Sequence, residues 1–148
     1  MSEPATEIAT ATTTSAAGLF AVLRDVVARF RQASGADILS LYLYDADVQA
    51  YYAPVASGLP EEDLAGSLSD MHDQLAHYLA DVAQGKAPAE LLPTHYGPNV
   101  WLTVTRQRLY AKDAPKEIDS SFIRRFHIQS VLGLPLLAGD RVVGLLYL

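Results

Sequence analysis

The chain has 148 residues, half of them apolar, with a net charge of −6 and a mean hydropathy of +0.12. This suits one compact domain rather than a disordered chain, and the acidic balance argues against a nucleic-acid partner, which needs clustered Lys and Arg. The absence of cysteine excludes disulfides, thiolate metal sites, cysteine nucleophiles and sulfur-linked cofactors, and no run nears the roughly 18 apolar residues of a membrane span.

Residues 1–17 are mainly Ala, Thr and Ser without apolar periodicity and read as a disordered leader. They lack the basic start and apolar core of a signal peptide, so a cytoplasmic location is expected. From Gly18, the recurrence of Leu19, Val22, Leu23, Val26, Val27 and Phe30 predicts an amphipathic helix ending near Gly35. Ile38–Tyr44 and Tyr51–Ala56 read as two strands joined closely enough to form an antiparallel hairpin. A second helix carries Leu68, Met71, Leu75 and Val82 on one face and ends at Gly85. Residues 86–99, with three prolines, read as a loop.

Residues 99–111 are ambiguous: Val100, Thr103, Val104 and Thr105 favour strand by propensity, whereas a short helix leading into a short strand fits equally well. Asp119–Phe126 predicts a short helix capped by Asp119 or Ser120. The chain closes on two apolar runs around Gly139-Asp140, a pair suited to the φ > 0 positions of a tight turn. An apolar strand does not normally finish a protein, so the sequence reads as one cut before a further segment.

Charge is uneven. Residues 61–90 hold seven acids against Lys86 alone, and residues 106–125 hold six bases against three acids. Of the four histidines, His72 and His77 lie roughly 140° apart around a helix and cannot share a metal. Asp73 and His77 form a helix-stabilising pair, and His95 and His127 read as ordinary polar residues. No nucleophile elbow or phosphate-binding loop is present.

Several pieces together resemble a GAF domain. Ser34-Gly-Ala-Asp37 leads into a strand ending Tyr42-Leu-Tyr-Asp45, and Ala56-Ser-Gly58 closes the next. Arg108-Leu-Tyr-Ala-Lys-Asp113 resembles the family's short third strand. Ile128–Leu136 and Gly139–Tyr147 resemble its closing hairpin. The likeness runs from about Gly18 to Leu148 and lacks the family's last helix. It implies an α+β, GAF-like (profilin-like) central antiparallel sheet with helices on both faces, and it makes Asn99–Thr105 a helix. It also places Pro135 inside a central strand, where a bulge or an N–H-free outward position is required.

The resemblance further implies a cytoplasmic sensory or regulatory module that binds a small ligand and controls an output domain in the same parent chain: a kinase, cyclase or transcriptional activator. A non-enzyme without a cofactor is expected, since the family's reductase branch works through cysteines, and a homodimer through the first helix. The alternative is a ligand-free dimerisation or scaffold element. The ligand is expected on the sheet face opposite the first helix, touched by Tyr78, Trp101, Tyr110, Phe122 and Phe126. A cavity of roughly 300 Å³ or more favours sensing; one filled by Trp101 and Phe126 favours the scaffold.

Overall fold

The structure, a computed structural model, describes residues 3–118 and 120–148, with side chains from Ala17 onward. Five strands form an antiparallel sheet in the order β2-β1-β5-β4-β3. They are β1 (Leu39–Asp45), β2 (Ala50–Ser57), β3 (Leu109–Ala111), β4 (Val131–Ala138) and β5 (Arg141–Tyr147). β1 neighbours β5 in the centre, with Ser40 opposite Tyr147 and Leu43 opposite Gly144, so each of these two strands is paired on both edges.

The strands' two-residue alternation divides the core. Leu39, Leu41 and Val55 pack with Val27 of helix α1 (Glu3–Ser34) on one face. Tyr42, Tyr44, Tyr51, Leu145 and Val142 point the other way into the larger core. That second layer comprises α2 (Glu61–Ala83), α3 (Pro93–Tyr96), α4 (Pro98–Thr105), α5 (Ala114–Glu117) and α6 (Ser121–Arg125).

Three elements differ from expectation. The backbone is helical from Glu3, ahead of Gly18, where a disordered leader was expected; once the amphipathic part nucleates a helix, each added residue fixes one hydrogen bond, which the alanines favour and the threonines and serine weaken. Residues 1 and 2 lie outside the described residues. The proline-rich loop contains the single turn α3, started by Pro93 at a position that needs no N–H. The residues after β3 form the short α5. Asn99–Thr105 is helical despite its β-branched content. Ser120 caps α6, its Oγ accepting from Ile123 N–H at 3.4 Å; Asp119 lies outside the described residues.

Pro135 needs no compensation where it stands. Leu132 and Leu148 exchange both backbone hydrogen bonds, so by antiparallel alternation Pro135, opposite Leu145, turns its nitrogen away from β5. Its other side lies past the end of β3, which pairs only as far as Gly133. A bulge occurs further along, at Val143, where Leu136 and Leu137 oppose Gly144 and Val142. In the hairpin turn only Gly139 adopts positive φ, at 62°.

The edge of β2 is covered by a side chain of α2. His72 Nε2 accepts the Tyr51 N–H at 2.9 Å and lies 3.1 Å from the Tyr51 carbonyl oxygen. This occupies the Tyr51 amide that an exposed edge would offer to another strand. His72→Ala is expected to lower stability by about 1 kcal/mol, read as a shift in urea midpoint, because the amide loses its acceptor.

Candidate functional site

Beneath the start of β1 and the end of β5, on the face opposite α1, lies a cavity of about 690 Å³. Its floor comes from the sheet (Ser40, Tyr42, Tyr147) and from Pro98 and Asn99 at the start of α4. Its apolar wall is Ile118, Phe122, Ile123, Phe126 and Val131. Asp37, His127, Gln129 and Ser130 stand at its mouth, all exposed.

Backbone conformation sets this arrangement. Gly97 has φ 88° and ψ 170°, a combination essentially restricted to glycine, and it allows α3 to turn directly into α4. Asn99 thereby comes beneath β5, where its Oδ1 accepts from the Tyr147 hydroxyl. At the rim His127 holds the left-handed conformation, φ 53°, a strained state for a non-glycine residue.

The polar atoms of the larger core form short chains. Ser67 Oγ donates to the Leu64 carbonyl at 2.7 Å, which makes the Tyr42 hydroxyl the donor in its 2.8 Å contact with Ser67 Oγ. Thr103 Oγ1 likewise donates to the Asn99 carbonyl at 2.7 Å, so the Tyr51 hydroxyl donates to Thr103 Oγ1 at 2.6 Å. Burial is the leading cause raising all three phenols. Tyr42 is pushed up to about 12, Tyr51 rises further, and Tyr147 stands well above its ordinary value. The phenols are therefore neutral hydrogen-bonding groups across the physiological range.

Ser40 is different. It is only 5% exposed, and its hydroxyl has no hydrogen-bond partner among the described residues. No fully enclosed side-chain polar atom lacks a partner among those residues. The Ser40 oxygen is therefore open to the cavity it lines.

Of the five aromatics expected at the ligand, Phe122 and Phe126 line the cavity together, with ring centroids 4.7 Å apart. Tyr78, Trp101 and Tyr110 stand elsewhere. Trp101 follows Asn99 by two positions, roughly 200° around the helix, and its Nε1 donates to the Leu91 carbonyl at 3.1 Å. Tyr110 alternates outward on β3, between inward Leu109 and Ala111, and is 66% exposed. Tyr78 packs edge-on against Tyr96, centroids 5.3 Å apart. The floor residues Ser40 and Asn99 were not foreseen. The available signal was Ser40 itself, a small polar residue alternating with Tyr42 and Tyr44 inside an otherwise apolar strand.

No group of three potential metal ligands exists among the described residues. His77 pairs with Asp81, Nε2 to Oδ2 3.4 Å, rather than with Asp73, and Asp81 also accepts from the Tyr96 hydroxyl at 2.7 Å. Nor, among those residues, is any helix long and apolar enough to cross a membrane.

Comparison with known proteins places this architecture. The family model of the GAF domain matches residues 19–148. Among solved structures the chain is similar to the GAF domain of Acinetobacter phosphoenolpyruvate-protein phosphotransferase, at 21% identity and TM-score 0.54, covering 87% of this chain and 63% of that one. It is similar to the GAF domain of a Coxiella burnetii phosphoenolpyruvate-protein phosphotransferase, at 17% identity and TM-score 0.54, covering 87% and 65%. A GAF domain/HD domain protein from Geobacter sulfurreducens follows at 16% identity and TM-score 0.50, covering 86% and 71%. The chain thus spans less than two thirds of the first two structures' lengths. No curated protein matches it. With the family model covering nearly all of the chain and the five-stranded antiparallel sheet in agreement, the chain belongs to the GAF domain family of sensory and regulatory modules.

Proposed function

We propose that this domain is a cytoplasmic, non-catalytic sensor that binds a small molecule in the cavity under β1 and β5 and governs an output domain, a kinase, cyclase or transcriptional activator, in its parent protein. The observation that carries this reading is the cavity itself. At about 690 Å³ it lies well inside the roughly 300–1,000 Å³ range of small-molecule sites, and it combines an apolar wall with a few inward polar groups. Neither Trp101 nor Phe126 fills it.

The test is thermal melting in the presence of indole, adenosine, nicotinamide and benzamide, each titrated against the chain and against Ser40→Leu. A ligand that binds only the folded state raises the melting temperature with concentration. The reading expects such a rise for at least one compound and its loss in Ser40→Leu, whose added side chain occupies the floor. Melting temperatures indifferent to every compound would favour the scaffold alternative.

That alternative draws on the outer face of α1, and the two readings share a prediction there. Leu19, Val22, Val26 and Phe30 form an exposed apolar stripe, Val22 being 60% exposed, while Phe20, Leu23 and Val27 occupy the sheet side. Apolar residues three and four apart along one helix are suited to pairing with a second copy. The chain is therefore expected to sediment as a homodimer, and Val22→Glu as a monomer with an unchanged melting profile at low concentration. A wild-type monomer at high concentration would remove the dimer from the account.

A further inference from the structure

We propose, resting on the reading that the cavity is a ligand site, that its ligand is an uncharged molecule whose carbonyl-type oxygen is held by Ser40 and Asn99 and whose flat apolar body lies against Phe122 and Phe126. The polar floor is made of neutral groups, two of which have N–H or O–H free to donate. The Ser40 hydroxyl is nine-tenths buried or more and unpartnered. Asn99 commits its Oδ1 to Tyr147, which leaves its amide N–H groups to donate. Pro98 and Asn99 are the first residues of α4, whose start has no side-chain cap, so the partially positive end of that helix adjoins the same floor.

Charge complementarity disfavours ionic ligands. No Lys or Arg side chain among the described residues lines the cavity, and His127 stands exposed at its mouth rather than at the floor. Arg125, on the adjoining α6, is held outside by Asp63 at 3.3 Å and by the face of Phe126 at 4.9 Å. A buried carboxylate or phosphate would thus lose its hydration without gaining a counter-ion. The chain's net charge of −6 opposes anion entry as well. A cation fares no better, since the floor carries no charged side chain and the one acidic side chain lining the cavity among the described residues, Asp37, lies exposed at its mouth. A neutral carbonyl satisfies the donors without either penalty, and the paired phenyl rings of Phe122 and Phe126 offer flat faces to an aromatic body.

The test uses three probes of one shape at neutral pH: benzamide, benzoate and benzylamine, titrated by ligand-observed NMR against the intact chain and Ser40→Ala. Benzamide is expected to bind at least about tenfold more tightly than either ion. Ser40→Ala is expected to weaken benzamide by about three- to tenfold, the loss of one hydrogen bond. Benzoate or benzylamine binding as well as benzamide, with the loss in Ser40→Ala retained, overturns the ligand class while leaving the cavity a ligand site. Benzamide binding unaffected by Ser40→Ala overturns the assignment of the floor. Failure of all three probes to bind at millimolar concentration overturns the ligand class, and the ligand site falls with it only where indole, adenosine and nicotinamide also leave the melting temperature unchanged.

Discussion

Gly58→Ala is expected to destabilise the fold by on the order of 3–5 kcal/mol, a large part of the about 5–15 kcal/mol typical of a domain. Gly58 follows β2 with φ +88°, and a Cβ there would overlap the Asp37 carbonyl oxygen and lie 2.9 Å from Arg31 Nε. The first neighbour is backbone and has no free rotation through which to withdraw. Arg31 is fixed too, since Nε donates to the Asp37 carbonyl at 2.9 Å and the Ala36 carbonyl at 3.2 Å. The same connection supplies Ala36, Asp37 and Ile38 to the cavity, so its displacement would reshape the rim as well. Gly85→Ala is the matched control: its φ is +68° but no atom lies within 4 Å of the added carbon, leaving only a left-handed backbone penalty of about 1–2 kcal/mol. Urea denaturation of the two variants separates steric from conformational cost; equal midpoints would show that the close approach at Gly58 is absent in solution.

Alkaline pH should unfold the domain steeply. Tyr42, Tyr51 and Tyr147 have folded pKa values above the ordinary 10.0, Tyr42 at about 12, chiefly through burial. Between pH 10 and 12 the unfolded chain therefore releases phenolic protons that the folded chain keeps. Stability is unaffected by these groups below pH 10 and is lost above it, by about 1.4 kcal/mol per pH unit for each phenol that ionises only on unfolding. Three phenols together give a slope of about 4 kcal/mol per unit. Urea midpoints followed by circular dichroism from pH 9 to pH 12 check this against Tyr42→Phe, which removes one titrating group and should show a shallower fall. Parallel slopes would contradict the enclosed placement of Tyr42.

These residues also show what the sequence made legible. The closing hairpin and the Ile38–Tyr44 strand follow from local patterns: apolar runs, a glycine turn and two-residue alternation. The site was harder to read because it is assembled from distant segments. Ser40 is one small polar residue in a strand until Asn99, Phe122 and Tyr147 are brought opposite it. Trp101 is the sole tryptophan, and the helical rotation that turns Asn99 inward turns it toward Leu91. Tyr110 stands away from the cavity for a similar reason, since a three-residue strand with two inward positions leaves its middle residue outside. Phe122 and Phe126 line the cavity together because residues four apart share a helical face.

Whether the space beneath β1 and β5 receives a ligand is answered by an amide-correlation NMR titration of the assigned, intact chain with benzamide. The account predicts saturable shifts grouped at Ser40, Asn99, Phe122 and Phe126, with the outer face of α1 and the surroundings of Tyr110 unmoved. Shifts confined to Tyr78, Trp101 or Tyr110, or an unchanged spectrum at millimolar benzamide, would contradict it.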